Sequence, residues 1–251
     1  MIYIKLVFEN ANAFRKNIEA IAALIDEAEF IVSDSGLALK ATDPSQIAMV
    51  DFEMPKSAFK EFNVEKEIKL GADMDYFRQI MSRAKSDDVI VLEMGADKTV
   101  LSIKFLGKSS RSFSMPLIDV SKGQVPNPKI DFDAELSLKA AIIQDSLKDA
   151  EILSAHITFG VRNETFYVSA NSSKGTFINE VQKKDGSIKK FEASKDCKAM
   201  FPLDYLKNML KVLSGEDELK LFLKSDAPLK LEFMNEKARI TYYLAPRIDV
   251  E

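Results

Sequence analysis

The chain contains a copy of part of itself. Displaced by 129 positions, Asp75–Met94 falls on Asp204–Leu223 without a gap. Asp75/Asp204, Tyr76/Tyr205, Asp88/Asp217 and Leu92/Leu221 are identical. Arg78/Lys207, Ile80/Met209, Met81/Leu210 and Asp87/Glu216 keep charge or apolar character. A helical period followed by a strand, present twice, describes one folding unit made in duplicate. A chain of 251 residues then divides into two domains of about 125 residues instead of one large one. A duplicated domain in an open chain has two unlike ends, and head-to-tail association of such ends can close a ring.

The rest of the sequence bounds the setting. An apolar content of 46% is enough for a good core. Met1–Phe8 is apolar but too short for a signal peptide and is interrupted by Lys5. No run approaches the roughly 18 apolar residues of a membrane span, so no membrane association is expected. The single cysteine, Cys197, excludes an internal disulfide and points to a reducing cytoplasm. A net charge of −4 disfavours a nucleic-acid partner only on average. The distribution of charge decides more than the sum.

Alternating or β-rich segments bounded by turn residues dominate. In the first half they are Glu29–Val32, Leu37–Ala41, Ala48–Met54, Glu67–Gly71, Val89–Met94, Val100–Leu106 and Ser109–Pro116. In the second half they are Ile152–Phe159, Thr165–Ala170, Gly175–Val181, Ala199–Pro202, Glu218–Leu223, Leu229–Met234 and Ala238–Ala245. Asp119–Lys129, with Gly123, Pro126 and Pro128, reads as an extended linker between domains 1–118 and 130–251. Gln182–Lys195 is polar and lysine-rich and reads as a solvated loop.

Four segments carry a helical stripe. The stripes are Phe14, Ile18, Ile21, Ile25; Met74, Phe77, Met81, Ala84; Ala140, Ile143, Leu147, Ala150; and Leu203, Leu206, Leu210, Leu213. Two helices per half, laid on one sheet face, define an α+β fold. Opposite the stripes stand Arg15, Lys16, Arg78, Arg83, Lys148, Lys207 and Lys211, interspersed with Glu19, Asp75, Asp145 and Asp204. Any one such face is ordinarily solvated surface. Four in duplicated positions would turn to one side, where they could touch phosphates loosely and without reading sequence.

Catalytic signatures are absent from the sequence: no phosphate-binding glycine loop, no dinucleotide fingerprint and no nucleophile elbow. His156, the only histidine, lies in an apparent strand and reads as a partly buried structural residue. No metal and no cofactor are expected, since His156 has no ligand-spaced companion. Lys195 and Lys198 near Cys197 could favour a thiolate, but without a histidine partner the cysteine also reads as structural. Asp87/Asp88 and Glu216/Asp217 sit where a turn joins helix to strand. An enzyme built on such an acidic pair is the least favoured reading.

The duplicated unit, Asp43–Met54, Lys85–Asp88, Pro116–Val120 and the ending Tyr242–Arg247 together resemble the archaeal and eukaryotic sliding clamp family, proliferating cell nuclear antigen. The resemblance spans the whole chain. It implies a non-enzymatic ring of three subunits around double-stranded DNA, with helices lining the hole and sheets outside. It implies work in DNA replication and repair, cytoplasmic and nucleoid-associated if archaeal. DNA polymerase, clamp loader, flap endonuclease and DNA ligase would be partners through short hydrophobic peptide motifs. By motif position their pocket would comprise Thr42, Met49, Val125, Pro126, Pro228, Tyr243, Leu244, Ala245 and Pro246. Thr42 replaces a methionine of eukaryotic members and Gly123 a common aliphatic linker residue, and both make the pocket less apolar. Ring closure would pair roughly Lys108–Ser114 of one subunit with roughly Thr176–Gln182 of the next, with Arg111, Phe113, Phe177 and Ile178 in contact. The alternative within the family is one subunit of a heterotrimeric or checkpoint-type clamp.

Overall fold

A computed structural model describes residues 2–95, 97–120, 125–126 and 128–248. The chain forms two compact units. The first comprises residues 1–46, 50–125 and 234–240, and the second 47–49, 126–233 and 241–251.

The first half runs β1 (Ile2–Phe8), α1 (Ala11–Ala22), β2 (Glu27–Ser33), β3 (Gly36–Thr42), β4 (Ala48–Pro55), β5 (Glu61–Val64), β6 (Ile68–Asp73), α2 (Met74–Met81), β7 (Val89–Gly95), β8 (Val100–Leu106) and β9 (Ser110–Pro116). The second runs β10 (Ala134–Lys139), α3 (Ala140–Glu151), β11 (His156–Arg162), β12 (Thr165–Ser172), β13 (Gly175–Gln182), β14 (Ile188–Ala193), β15 (Cys197–Pro202), α4 (Leu203–Leu210), β16 (Glu218–Leu223), β17 (Leu229–Asn235) and β18 (Ala238–Leu244). The element order is the same in both. So is the strand order: β5-β1-β7-β8-β9 matches β14-β10-β16-β17-β18, and β4-β3-β2-β6 matches β13-β12-β11-β15.

The 129-residue displacement holds down to single hydrogen bonds. The Met74 amide donates to Asp26 O and the Leu203 amide to Ala155 O, both at 2.9 Å. The Ile118 amide donates to Gly71 O at 3.0 Å, and the Arg247 amide to Met200 O at 2.7 Å. In β4 and β13 the displacement is 127, because five residues join β3 to β4 and only two join β12 to β13, while β12 is one residue longer than β3.

The helices form where their stripes demand it. Asn10 caps α1 by accepting from the Ala13 amide at 3.0 Å, and Asp73 caps α2 by accepting from the Tyr76 amide at 2.9 Å. Each stripe is buried in its own unit. In the first, the Phe77 ring lies 6.4 Å from Phe14 and 6.1 Å from Phe30, edge-on to both. In the second, Phe159 sits 6.0 Å from Phe166 and 5.9 Å from Phe201. Such pairs add about 0.5–1.5 kcal/mol each beyond area burial.

Several expectations need correction. Ile25, Ala84 and Leu213 lie beyond the ends of α1, α2 and α4. They stay buried because the turns that follow double back, as in the Ala84 amide bond to Met81 O (3.0 Å) and that of Leu213 to Leu210 O (3.1 Å). Ile152–Ser154 ends the α3 region, so the strand there starts only at His156. Gln182–Lys195 is not simply a loop, since it contains β14, paired to β10 with Phe191 opposite Leu136. An edge strand solvated on one side carries lysines without losing its pairing. Strands β1, β5 and β10 were also not foreseen. Gly123 lies outside the described residues, as do residues 121, 122, 124 and 127 of the linker.

Gly71 shows where one copy has a requirement that the other lacks. A Cβ on Gly71 would stand 1.9 Å from Ile118 O. Met200 holds the corresponding place in the second copy with a side chain. Gly71→Ala is expected to detach residues 117–120 from β6 and cost about 2 kcal/mol. Urea unfolding, with hydrogen exchange at the Ile118 amide, checks this.

Candidate nucleic-acid face, partner cavity and strand edges

The seven basic helix residues divide into two kinds. Arg15 pairs with Glu19 (3.6 Å), Arg78 with Asp75 (2.9 Å), Lys148 with Asp145 (2.8 Å) and Lys207 with Glu151 (2.5 Å). Three of these pairs follow from i,i+3 or i,i+4 spacing on one helix. Lys16, Arg83 and Lys211 have no carboxylate partner for their side chains among the described residues. Exposed pairs in high dielectric contribute little, about 0–1 kcal/mol, and exchange readily for a phosphate. Within each unit the two helices pack together, α1 on α2 and α3 on α4.

A cavity of about 280 Å³ opens on the first unit. Ala28 and Ile31 of β2, Ala41 and Thr42 of β3, and Val120 and Val125 form its apolar part. Glu27, Glu29, Lys40 and Lys69 frame it. Glu29 pairs with Lys69 at 2.7 Å, and this hydrogen bond holds the Lys69 ammonium above its ordinary range. Lys40 pairs with Asp51 at 3.4 Å. Of the residues expected to make the partner pocket, Thr42 and Val125 line this cavity. Met49, Pro126, Pro228, Tyr243, Leu244, Ala245 and Pro246 belong to the second unit. Met49 and Leu244 are buried there, Pro228, Tyr243, Ala245 and Pro246 half-buried, and Pro126 exposed. The charged frame was missed, although its signal was available in the outward positions of alternating strands.

β9 and β13 end their respective strand orders. On β9, Arg111, Phe113 and Met115 turn inward while Ser110, Ser112 and Ser114 are exposed. Phe113 rests on Phe105 at 5.6 Å. Arg111 is engaged inside its own chain. It donates to Arg83 O at 2.7 Å, forms a short ion pair with Asp88, and lies 5.3 Å from the centre of the Phe105 ring. On β13, Phe177, Asn179 and Val181 turn inward, and Asn179 donates to Ser146 Oγ on α3 at 2.9 Å. Ile178 points the opposite way and is 53% exposed. Phe177 and Ile178 therefore address different faces of the strand.

The acidic pairs are turn devices. Asp88 Oδ2 accepts from the Lys85 amide at 2.7 Å, and Asp217 Oδ2 accepts from the Ser214 amide at 2.8 Å. Asp88 is buried, and burial opposes its ionisation. The Lys85 amide and the Arg111 guanidinium outweigh that and hold the carboxyl below its usual range. His156 is half-buried, with Arg247 Nη1 3.0 and 2.9 Å from its ring nitrogens. Burial, with Asp133 and Asp196 nearby, pushes the Cys197 thiol up to about 11. The nearby lysines do not make it a thiolate.

Two open-edged sheet systems with a helix pair, made twice in one chain, are the domain plan of a DNA clamp. Family models for the N-terminal and C-terminal domains of proliferating cell nuclear antigen match residues 2–123 and 126–247. A DNA polymerase sliding clamp of Methanococcus maripaludis is 34% identical over 244 residues, 96% of this chain and 97% of that protein. The crystal structure of PCNA from Thermococcus kodakaraensis superposes with a TM-score of 0.93 at 26% identity, covering 97% of this chain and 100% of that one. A. fulgidus PCNA, solved with the C-terminal region of FEN-1 bound, gives 0.89 at 27% identity over 99% and 100%. The chain belongs to the proliferating cell nuclear antigen family of DNA polymerase sliding clamps.

Two outcomes follow from this chemistry. Arg111→Ala leaves the Asp88 carboxylate buried without its cation and is expected to cost about 3 kcal/mol near neutral pH. Because the native carboxyl titrates below its unfolded value, its stabilisation is complete above about pH 4 and is lost as the pH falls further. In Arg111→Ala the loss begins at higher pH, which urea unfolding across pH 2–7 measures. The Cys197 thiol is expected to resist a disulfide reagent at pH 8 in the folded chain and to react promptly in denaturant.

Proposed function

We propose that three copies of this chain close into a ring around duplex DNA, hold a DNA polymerase on its template and offer docking places to other replication and repair proteins. The observation that supports this most is the duplication of a two-helix domain with unlike free edges, within a family of sliding clamps. The chain acts without chemistry of its own, inside the cell and on DNA.

In this reading α1 to α4 face the DNA. Lys16, Arg83 and Lys211 meet phosphates directly, while Arg15, Arg78, Lys148 and Lys207 share their charge with neighbouring carboxylates. Many shallow contacts hold a ring on DNA without fixing it at one position. The linker and C-terminal segment pair with partner peptides as an added strand beside Thr42, Met49, Val125, Pro126, Pro228, Tyr243, Leu244, Ala245 and Pro246. Clamp loader, flap endonuclease and DNA ligase are expected to use the same place.

The test combines solution mass with polymerase processivity on a primed circular template. A mass near three times 28.2 kDa and longer products support the ring. A monomer without stimulation at any concentration overturns it. Replacing Lys16, Arg83 and Lys211 by alanine is expected to leave the mass unchanged. It should weaken retention on closed circular DNA by about tenfold and flatten its salt dependence. The same change at Arg78 and Lys148 should do less.

A further inference from the structure

We infer that the first half carries a further docking groove, floored by Val89, Val91 and Leu106 on the sheet face turned away from its helices, and that it takes a short partner segment whose apolar side chains are flanked by carboxylates. The groove lies on the sheet β5-β1-β7-β8-β9, whereas the linker cavity lies on β2 and β3. It does not depend on ring closure.

The strand registers lay this face out in rows. Val7, Val91 and Lys104 stand side by side across β1, β7 and β8, with Glu61 of β5 at one end. The row on one side holds Lys5 and Glu93, and the row on the other holds Val89 and Leu106. These residues alternate with the buried Leu6, Ile90 and Phe105 and so point the opposite way. Valine is short, while lysine and glutamate are long. The difference leaves an open groove of about 900 Å³ with an apolar floor and charged walls. Val7 and Val91 are buried, Val89 is half-buried and Leu106 is 41% exposed, so the floor is open at the Val89–Leu106 end.

The second half shows the same face without such a floor. Its registers put Ser137, Lys220 and Glu218 where Val7, Val91 and Val89 stand. Only Leu106 keeps an apolar counterpart, Met234. Ser137 Oγ donates to Glu218 at 2.5 Å, and Lys220 pairs with Glu232 at 3.5 Å. One backbone therefore carries a polar lattice in one copy and valines in the other. The fold itself does not require the valines.

The charges select the occupant. Lys5 pairs with Glu61 at 2.8 Å, Lys104 with Glu93 at 2.6 Å and Lys60 with Glu9 at 2.6 Å. The hydrogen bond to Glu61, with the charges of Glu61 and Glu93, holds the Lys5 ammonium above its ordinary range. Cations matched one by one with carboxylates give a nucleic-acid backbone or an anionic membrane little to gain. A short peptide differs, because it brings apolar side chains to the floor. Lys5, Lys60 and Lys104 line the groove against Glu61 and Glu93, one cation in excess in a chain of net charge −4. Lys104 stands two residues before Leu106 on β8, whereas Glu93 stands four beyond Val89 on β7, so the excess lies toward the open floor. An apolar side chain seated on Val89 and Leu106 brings its neighbouring carboxylates toward Lys104 and Lys60. Exposed ion pairs exchange partners at little cost.

Fluorescence anisotropy of the full chain with short labelled peptides tests this. One peptide carries leucines flanked by glutamates, a second leucines flanked by lysines, and a third alanines flanked by glutamates. The first is expected to saturate below about 1 mM and the others to bind about tenfold more weakly or not at all. Raising NaCl from about 0.05 to about 0.5 M should weaken the first about threefold. Val89→Glu, which copies Glu218 of the other half, and Lys60→Glu, an exposed change, are each expected to weaken it about fivefold or more. Thr42→Glu, in the linker cavity, should leave it unchanged. Lys60→Glu decides the matter if Val89→Glu does not fold. No saturation by the first peptide, or equal binding of the lysine-flanked one, overturns the inference. So does binding that Lys60→Glu leaves unchanged, and binding abolished by Thr42→Glu assigns the peptide to the linker cavity instead.

Discussion

Everything in this molecule depends on a short helix having to bury its apolar stripe. Helices of eight or twelve residues are not stable alone in water. Each survives because phenylalanines, leucines and isoleucines from two sheet systems close over it. That requirement makes the two sheets and the helix pair of each half one cooperative body, and it leaves the polar helix faces free to vary. The cations therefore stand on a surface whose geometry the core decides.

The same logic explains the edges. A strand at the end of an order has unpaired amides and carbonyls, which attract another strand. Here β9 shows a row of serines and β13 a row containing Ile178, Glu180 and Gln182. β9 carries a proline only at its last residue, Pro116, and neither edge has an inward-pointing lysine. Arg111 and Glu180 are tied back within their own chain, to Asp88 and Arg162.

Much of this was legible in the sequence. Alternation located most strands of both halves, and the helical stripes named residues that are buried. The duplication could be read from twenty residues because α2, α4 and the strands after them kept their chemistry. Elsewhere the copies diverged, and the shared hydrogen bonds appear only in three dimensions, since backbone pairing leaves no residue signature. β14 escaped because its lysines and glutamates read as loop, whereas strand identity there is imposed by β10. Arg111 was expected at a subunit contact, and its tie to Asp88, 23 positions away, had no local signal. The cavity frame of Glu27, Glu29, Lys40 and Lys69 needed the register of three strands before its members came together.

Gly71 and Met200 have a consequence of another kind. They occupy the same place in two versions of one architecture, yet a methyl group is forbidden at the first and a long side chain is accommodated at the second. The two halves share solvent, temperature and history of expression in every sample. A substitution made in one half can thus be judged against the untouched other, so each molecule carries its own internal reference for what its fold will tolerate.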